Sequence, residues 1–103
     1  FVASAGSLFA SMVKSDEGTV VIGREALGGY YGHTGHISVT YQLPNTGLQL
    51  SFSIVDLEQD VQKLPDQSYG DGVKPDFTVE QTIEDYLKNI DTVLEFTKKF
   101  VNP

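Results

Sequence analysis

A chain of 103 residues forms one domain at most, with room for a modest core but not for a core and a complete enzyme cleft together. Its formal charge of −7, with seven scattered Lys and Arg, excludes nucleic acid and anionic membrane as partners, because phosphate binding needs clustered cations. The absence of Cys removes disulfides, thiol catalysis and thiolate metal sites, and fits a reducing or an oxidising compartment equally.

The chain starts at Phe1 without an initiator Met, shows no signal sequence or membrane-length span, and is read as a piece of a longer protein. Leu8, Phe9, Met12 and Val13 have helical spacing and predict a helix from about Ser4 to Lys14. Gly18 is expected to close it in the left-handed conformation. Ser4 then falls at the helix start, where a serine has two uses. Its hydroxyl can cap the helix by accepting a backbone N–H bond, or it can act as a nucleophile beside free N–H groups and the positive end of the dipole.

Thr19 to Ile22 is continuously apolar and β-branched, which predicts a strand covered on both faces. Gly23 to Gly35 is too rich in glycine for regular structure and reads as a shaped loop, either a plain connection or part of a site. Ile37, Val39, Tyr41, Leu43 and then Leu48, Leu50, Phe52, Ile54 alternate with polar residues around Pro44-Asn45-Thr46-Gly47, a hairpin with Gly47 at its left-handed position. Asp56 to Lys74 is polar and irregular. Two helices close the chain: Ile83, Tyr86, Leu87 and Ile90 follow a Thr82 cap, and Val93, Phe96 and Phe100 follow an Asp91 cap.

Most short motifs fail on their own chemistry. Ser11-Met12-Val13-Lys14 has the serine-lysine spacing of penicillin-binding enzymes but lacks their other two elements. His33 and His36 are three apart, yet a metal needs a further organised ligand. Gly28, Gly29 and Gly32 match a phosphate loop only in glycine content. No metal or cofactor is expected.

Three stretches together resemble the C-terminal part of the catalytic domain of the C-terminal processing, or tail-specific, peptidases, a family of serine endopeptidases. They are Ala3-Ser4-Ala5-Gly6-Ser7-Leu8-Phe9-Ala10; Val20-Val21-Ile22-Gly23-Arg24-Glu25-Ala26-Leu27-Gly28-Gly29-Tyr30-Tyr31-Gly32; and Leu43-Pro44-Asn45-Thr46-Gly47 with Gly70-Asp71-Gly72-Val73-Lys74-Pro75-Asp76 and Thr82-Ile83-Glu84-Asp85-Tyr86-Leu87. The resemblance implies an α/β fragment of a mixed sheet, with a helix after the nucleophile, a β-hairpin and two C-terminal helices. It makes Ser4 the nucleophile and the Ala5 N–H one oxyanion donor, and it implies a periplasmic, cell-envelope or secreted location.

The chain departs from the family where the base is concerned. Many members carry a lysine at the place of Gly28 or Gly29, and here the loop has none. Other branches use an upstream histidine with a downstream glutamate, and no Glu stands near Gly70-Asp71-Gly72. The base is therefore expected from an upstream histidine or from His33, whose ordinary pKa suits the role, with loss of catalysis as the third possibility. Ser7 stands where the family often has Glu, a change expected to act on helix-start electrostatics.

The expected partners are an extended polypeptide substrate and the remainder of the same catalytic domain. Substrate is expected to add as a strand near the glycine loop and Ile37 to Leu43. Gly28, Gly29, Tyr30 and Tyr31 are the candidate substrate contacts, with packing of the loop as the other role for the two tyrosines. An unpaired edge at Thr19 to Ile22 is expected to favour self-association. The other reading, from a different class, is a noncatalytic peptide-binding module on the same fold.

Overall fold

The computed structural model describes residues 2–103. In chain order its elements are α1 (Ala5–Lys14), β1 (Ile22–Gly23), β2 (Gly32–His33), β3 (Ser38–Gln42), β4 (Gln49–Ser53), β5 (Leu57–Glu58), β6 (Phe77–Thr78), α2 (Ile83–Leu87) and α3 (Thr92–Val101). Pairing is mixed: β1 lies parallel to β6, while β2 with β5 and β3 with β4 are antiparallel. Helices, hairpin and small sheets together make the α/β fragment that the sequence suggests.

The hairpin forms in the register that its alternation demands, with Val39 opposite Phe52 and Tyr41 opposite Leu50. Gly47 takes φ 70, the left-handed value the turn requires. Thr82 Oγ1 accepts from the Asp85 N–H at 3.1 Å and Asp91 Oδ1 from the Leu94 N–H at 2.9 Å, so both C-terminal helices start on their expected caps. Helix α3 then docks through Phe96 and Phe100, whose rings lie 6.0 and 5.1 Å from that of Phe77 on β6.

Two local expectations are corrected. Gly18 does not close α1 in the left-handed region; the helix ends at Ser15, in the right-handed region, where the Ser15 N–H bonds back to the Ser11 carbonyl and the Asp16 N–H to that of Val13. The stretch from Thr19 to Ile22 is not a two-sided strand. Only Ile22 enters one, its single partner is the two-residue β6, and Val20 is exposed. β-branched sequence favours extension, but a strand exists only where a neighbour supplies the bonds.

One junction ties the start of β1 to the helix before it. The Val21 N–H donates to Asp76 Oδ2 at 2.8 Å, and the same carboxylate pairs with Lys14 at the end of α1. The Lys14 ammonium first, and then the Val21 N–H, hold the Asp76 carboxyl below its ordinary range. Thus the helix that carries Ser4 is pinned at its far end.

The core is small: Ala26, Tyr30 and Val73 are buried, with Ala10, Tyr31, Val61 and Leu64 packed around them. It forms where the loop after β1 lies on residues 71–73. The Ala26 N–H reaches the Val73 carbonyl at 3.1 Å, the Tyr30 N–H reaches that of Asp71 at 2.9 Å, and Gly29 bridges Gly72. Gly72 is obligatory at this crossing, since a Cβ there would stand 1.7 Å from the Ala26 carbonyl oxygen. The rest of the molecule is open, a slab of 64 × 36 × 18 Å with a radius of gyration of 18.2 Å, where a globule of this length has about 13 Å.

Candidate active site

Ser4 sits at the N-cap position of α1, but it does not cap. Its side chain accepts no helix N–H, and its backbone is held at φ 51, ψ −124. That combination lies outside the regions an L-residue adopts freely and costs about 1–3 kcal/mol. A capping serine has extended backbone, as Thr82 and Asp91 do here. Of the two uses open to this serine the cap is not made: the turn presents an exposed residue at the helix start whose hydroxyl has no partner among the described residues.

The turn also fixes the donors around it. The Gly6 N–H is taken by the Ala3 carbonyl at 3.0 Å, and the Leu8 N–H by that of Ser4 at 3.0 Å. Among the described residues, the Ala5 N–H meets no acceptor. An orphan donor adjacent to a free hydroxyl, at the positive end of a helix of ten residues, is the arrangement that an oxyanion at an attacked carbonyl would need.

The glycine loop comes up against this helix start. The Gly28 N–H donates to the buried Ser7 Oγ at 3.1 Å, and the Leu27 N–H to the Val2 carbonyl at 2.9 Å, so the loop is clasped from both sides of Ser4. A Cβ at Gly28 would lie 2.7 Å from Ser7 Oγ and 3.4 Å from the Ser4 nitrogen. At Gly29 it would meet the Gly32 carbonyl oxygen at 2.4 Å. Neither position accepts a side chain. Sequence reasoning gave Ser7 only an electrostatic role; its place three residues after Ser4, on the same helix face, was the signal that it meets the loop.

Tyr30 is wholly buried, its hydroxyl donating to the Gln62 carbonyl at 3.0 Å and its ring edge-to-face with Tyr31 at 4.8 Å. Of the two roles weighed for it, packing is the one it fills; no face of its ring is left to form a substrate pocket. Tyr31 is half-buried over the same core, and its hydroxyl accepts from the Leu64 N–H at 3.1 Å. Burial pushes the Tyr30 phenol above its usual pKa.

His33 is half-buried in β2, opposite Leu57 of β5, and no hydrogen bond joins it to Ser4. His36 is exposed, and among the described residues no three His, Asp or Glu side chains are placed to hold a metal.

Behind the site, Glu25 and Gln67 support the crossing strand, a contribution that composition did not signal. Glu25 Oε1 accepts from the Gly72 N–H at 2.9 Å, and Gln67 Nε2 donates to the Gly72 carbonyl at 2.7 Å. Asp71 pairs with Lys74 at 2.7 Å, which lowers the carboxyl and raises the amine from their ordinary values. A groove of about 630 Å³ is lined by Val2, Ile22, Val73, Val79 and Val93. No protein-family model, no curated protein and no solved structure matches this chain.

Proposed function

We propose that the chain is the nucleophile-bearing part of a serine endopeptidase that cleaves extended polypeptide by acyl transfer. The observation that carries the reading is the backbone of Ser4, held at φ 51, ψ −124, with its hydroxyl and the neighbouring Ala5 N–H both without a partner among the described residues. Strain at a residue whose side chain makes no structural bond has no stabilising purpose. In the proposed reaction Ser4 Oγ attacks the peptide carbonyl while its proton passes to a base. The carbonyl oxygen takes up the negative charge and is met by the Ala5 N–H; collapse expels the amine, and water releases the acyl group.

On this reading the base and the second oxyanion donor are supplied from outside these residues. An upstream histidine is the preferred base. His33 is placed second: it lies in β2 opposite Leu57 and makes no hydrogen bond to Ser4. The resemblance to the tail-specific peptidases, with the location outside the cytoplasm that it implies, belongs to the same proposal.

The noncatalytic peptide-binding module has one observation in its favour. Gly28 and Gly29, where the family's lysine base would stand, are closed to side chains by Ser7 and Gly32. A fluorophosphonate probe applied to the full-length protein separates the two readings. The peptidase labels at Ser4, and Ser4→Ala abolishes both labelling and peptide cleavage. Folded full-length protein that never labels establishes the binding module instead.

A further inference from the structure

We propose that Ser7 is a positioning residue for the attack by Ser4, its hydroxyl setting how closely the glycine loop lies against the nucleophile's turn. The proposal rests on the peptidase reading and adds to it a residue that takes no part in the bond changes. Helix α1 and its C-cap carry serines at Ser7, Ser11 and Ser15, about one to each turn. Ser7 and Ser11 are the buried residues of α1, while Phe9 is 70% and Met12 60% exposed. The helix is thus seated largely by hydroxyls. Apolar contact has no direction, whereas a hydrogen bond weakens steeply outside a narrow range of length and angle. Hydroxyls therefore fix the rotation and axial register of a helix more closely than apolar side chains do.

The three serines serve different neighbours. Ser15 Oγ accepts from the Gln62 N–H at 2.7 Å, and Ser11 Oγ pairs with the Gln59 side chain and lies 2.8 Å from the Leu8 carbonyl oxygen of its own helix. Ser7 instead reaches the glycine loop, accepting from the Gly28 N–H at 3.1 Å. Gly28 also meets the nucleophile's backbone: a Cβ there would stand 3.4 Å from the Ser4 nitrogen as well as 2.7 Å from Ser7 Oγ. One glycine thus lies against both serines, and the bond to Ser7 fixes its approach to Ser4.

The first turn of α1 completes the coupling, since the Leu8 N–H, next to Ser7, holds the Ser4 carbonyl at 3.0 Å. Without the Ser7 hydroxyl the Gly28 N–H loses its acceptor, and the loop shifts to bond elsewhere. A backbone held at φ 51 persists only while its surroundings hold it, so the Ser4 turn relaxes with the loop. Misplacement of a reacting atom by about 1 Å is enough to cost about 100-fold in rate.

Peptide cleavage kinetics of the full-length protein, with fluorophosphonate labelling of Ser4, test the proposal. Ser7→Ala should lower kcat and the labelling rate by about 10- to 100-fold while KM stays within about twofold. Ser7→Cys keeps the volume but offers only a weak sulfur acceptor, and should show the same loss. It is the deciding variant where Ser7→Ala does not fold. Ser11→Ala removes another buried hydroxyl of the same helix, and should lower thermal stability while kcat stays within about twofold. Unchanged kcat in folded Ser7→Ala or Ser7→Cys, a raised KM at unchanged kcat, or an equal loss of kcat in Ser11→Ala each overturns this proposal and leaves the peptidase reading standing. Folded wild-type protein that neither labels nor cleaves overturns both.

Discussion

At Ser4 the stability and the chemistry of one residue separate. Because the hydroxyl caps nothing, Ser4→Ala should change the unfolding free energy by less than about 0.5 kcal/mol, whereas loss of a true serine cap costs about 1 kcal/mol. Ser4→Gly should raise stability by about 1 kcal/mol, since glycine tolerates the positive φ without strain. Denaturant titration of both variants is the check, and a substantial loss in Ser4→Ala would restore the capping role. A serine before an apolar helical run is legible in sequence. Its backbone angles are not, because they are imposed by the Leu27 N–H on the Val2 carbonyl and the Gly28 N–H on Ser7, contacts between segments some twenty residues apart.

Among the elements, those that could be read from the sequence are those whose bonds are local. The hairpin carries its register in its own alternation and its turn in Pro44 to Gly47; α2 and α3 carry their starts in Thr82 and Asp91. Strand β1 failed as a reading because its partner, Phe77–Thr78, lies more than fifty residues on and has only two residues to offer. The link that replaces a longer ladder is Asp76, which joins Lys14 and the Val21 N–H. Its carboxyl is depressed in the folded state, so its contribution is present above the unfolded carboxylate value of about 3.9 and is lost as pH falls through the folded value. Asp76→Asn should therefore cost about 0.5–1 kcal/mol at neutral pH and flatten the acid limb of a stability–pH curve. An acid limb unchanged by the substitution would show that the junction between α1 and β1 is held by other contacts.

The molecule as a whole has far more apolar surface than its core hides, and among the described residues its strands pair as three separate two-stranded sheets. That core is centred on Tyr30, the largest of its buried side chains, and this has an optical consequence. The chain has five tyrosines and no tryptophan, so beyond the weak phenylalanine bands its near-ultraviolet absorption comes from phenols. Tyr30, raised by burial, should ionise only at more alkaline pH than an ordinary phenol. A raised folded value means that its share of stability is complete below the unfolded value of about 10 and declines as pH climbs beyond it. Spectrophotometric titration should show a late, steep step that coincides with loss of near-ultraviolet circular dichroism, and Tyr30→Phe should remove the step. The same phenolate that ends the spectrum's lag would release the glycine loop from residues 71–73, making strong base a solvent that loosens the Ser4 turn while the remote hairpin keeps its ladder.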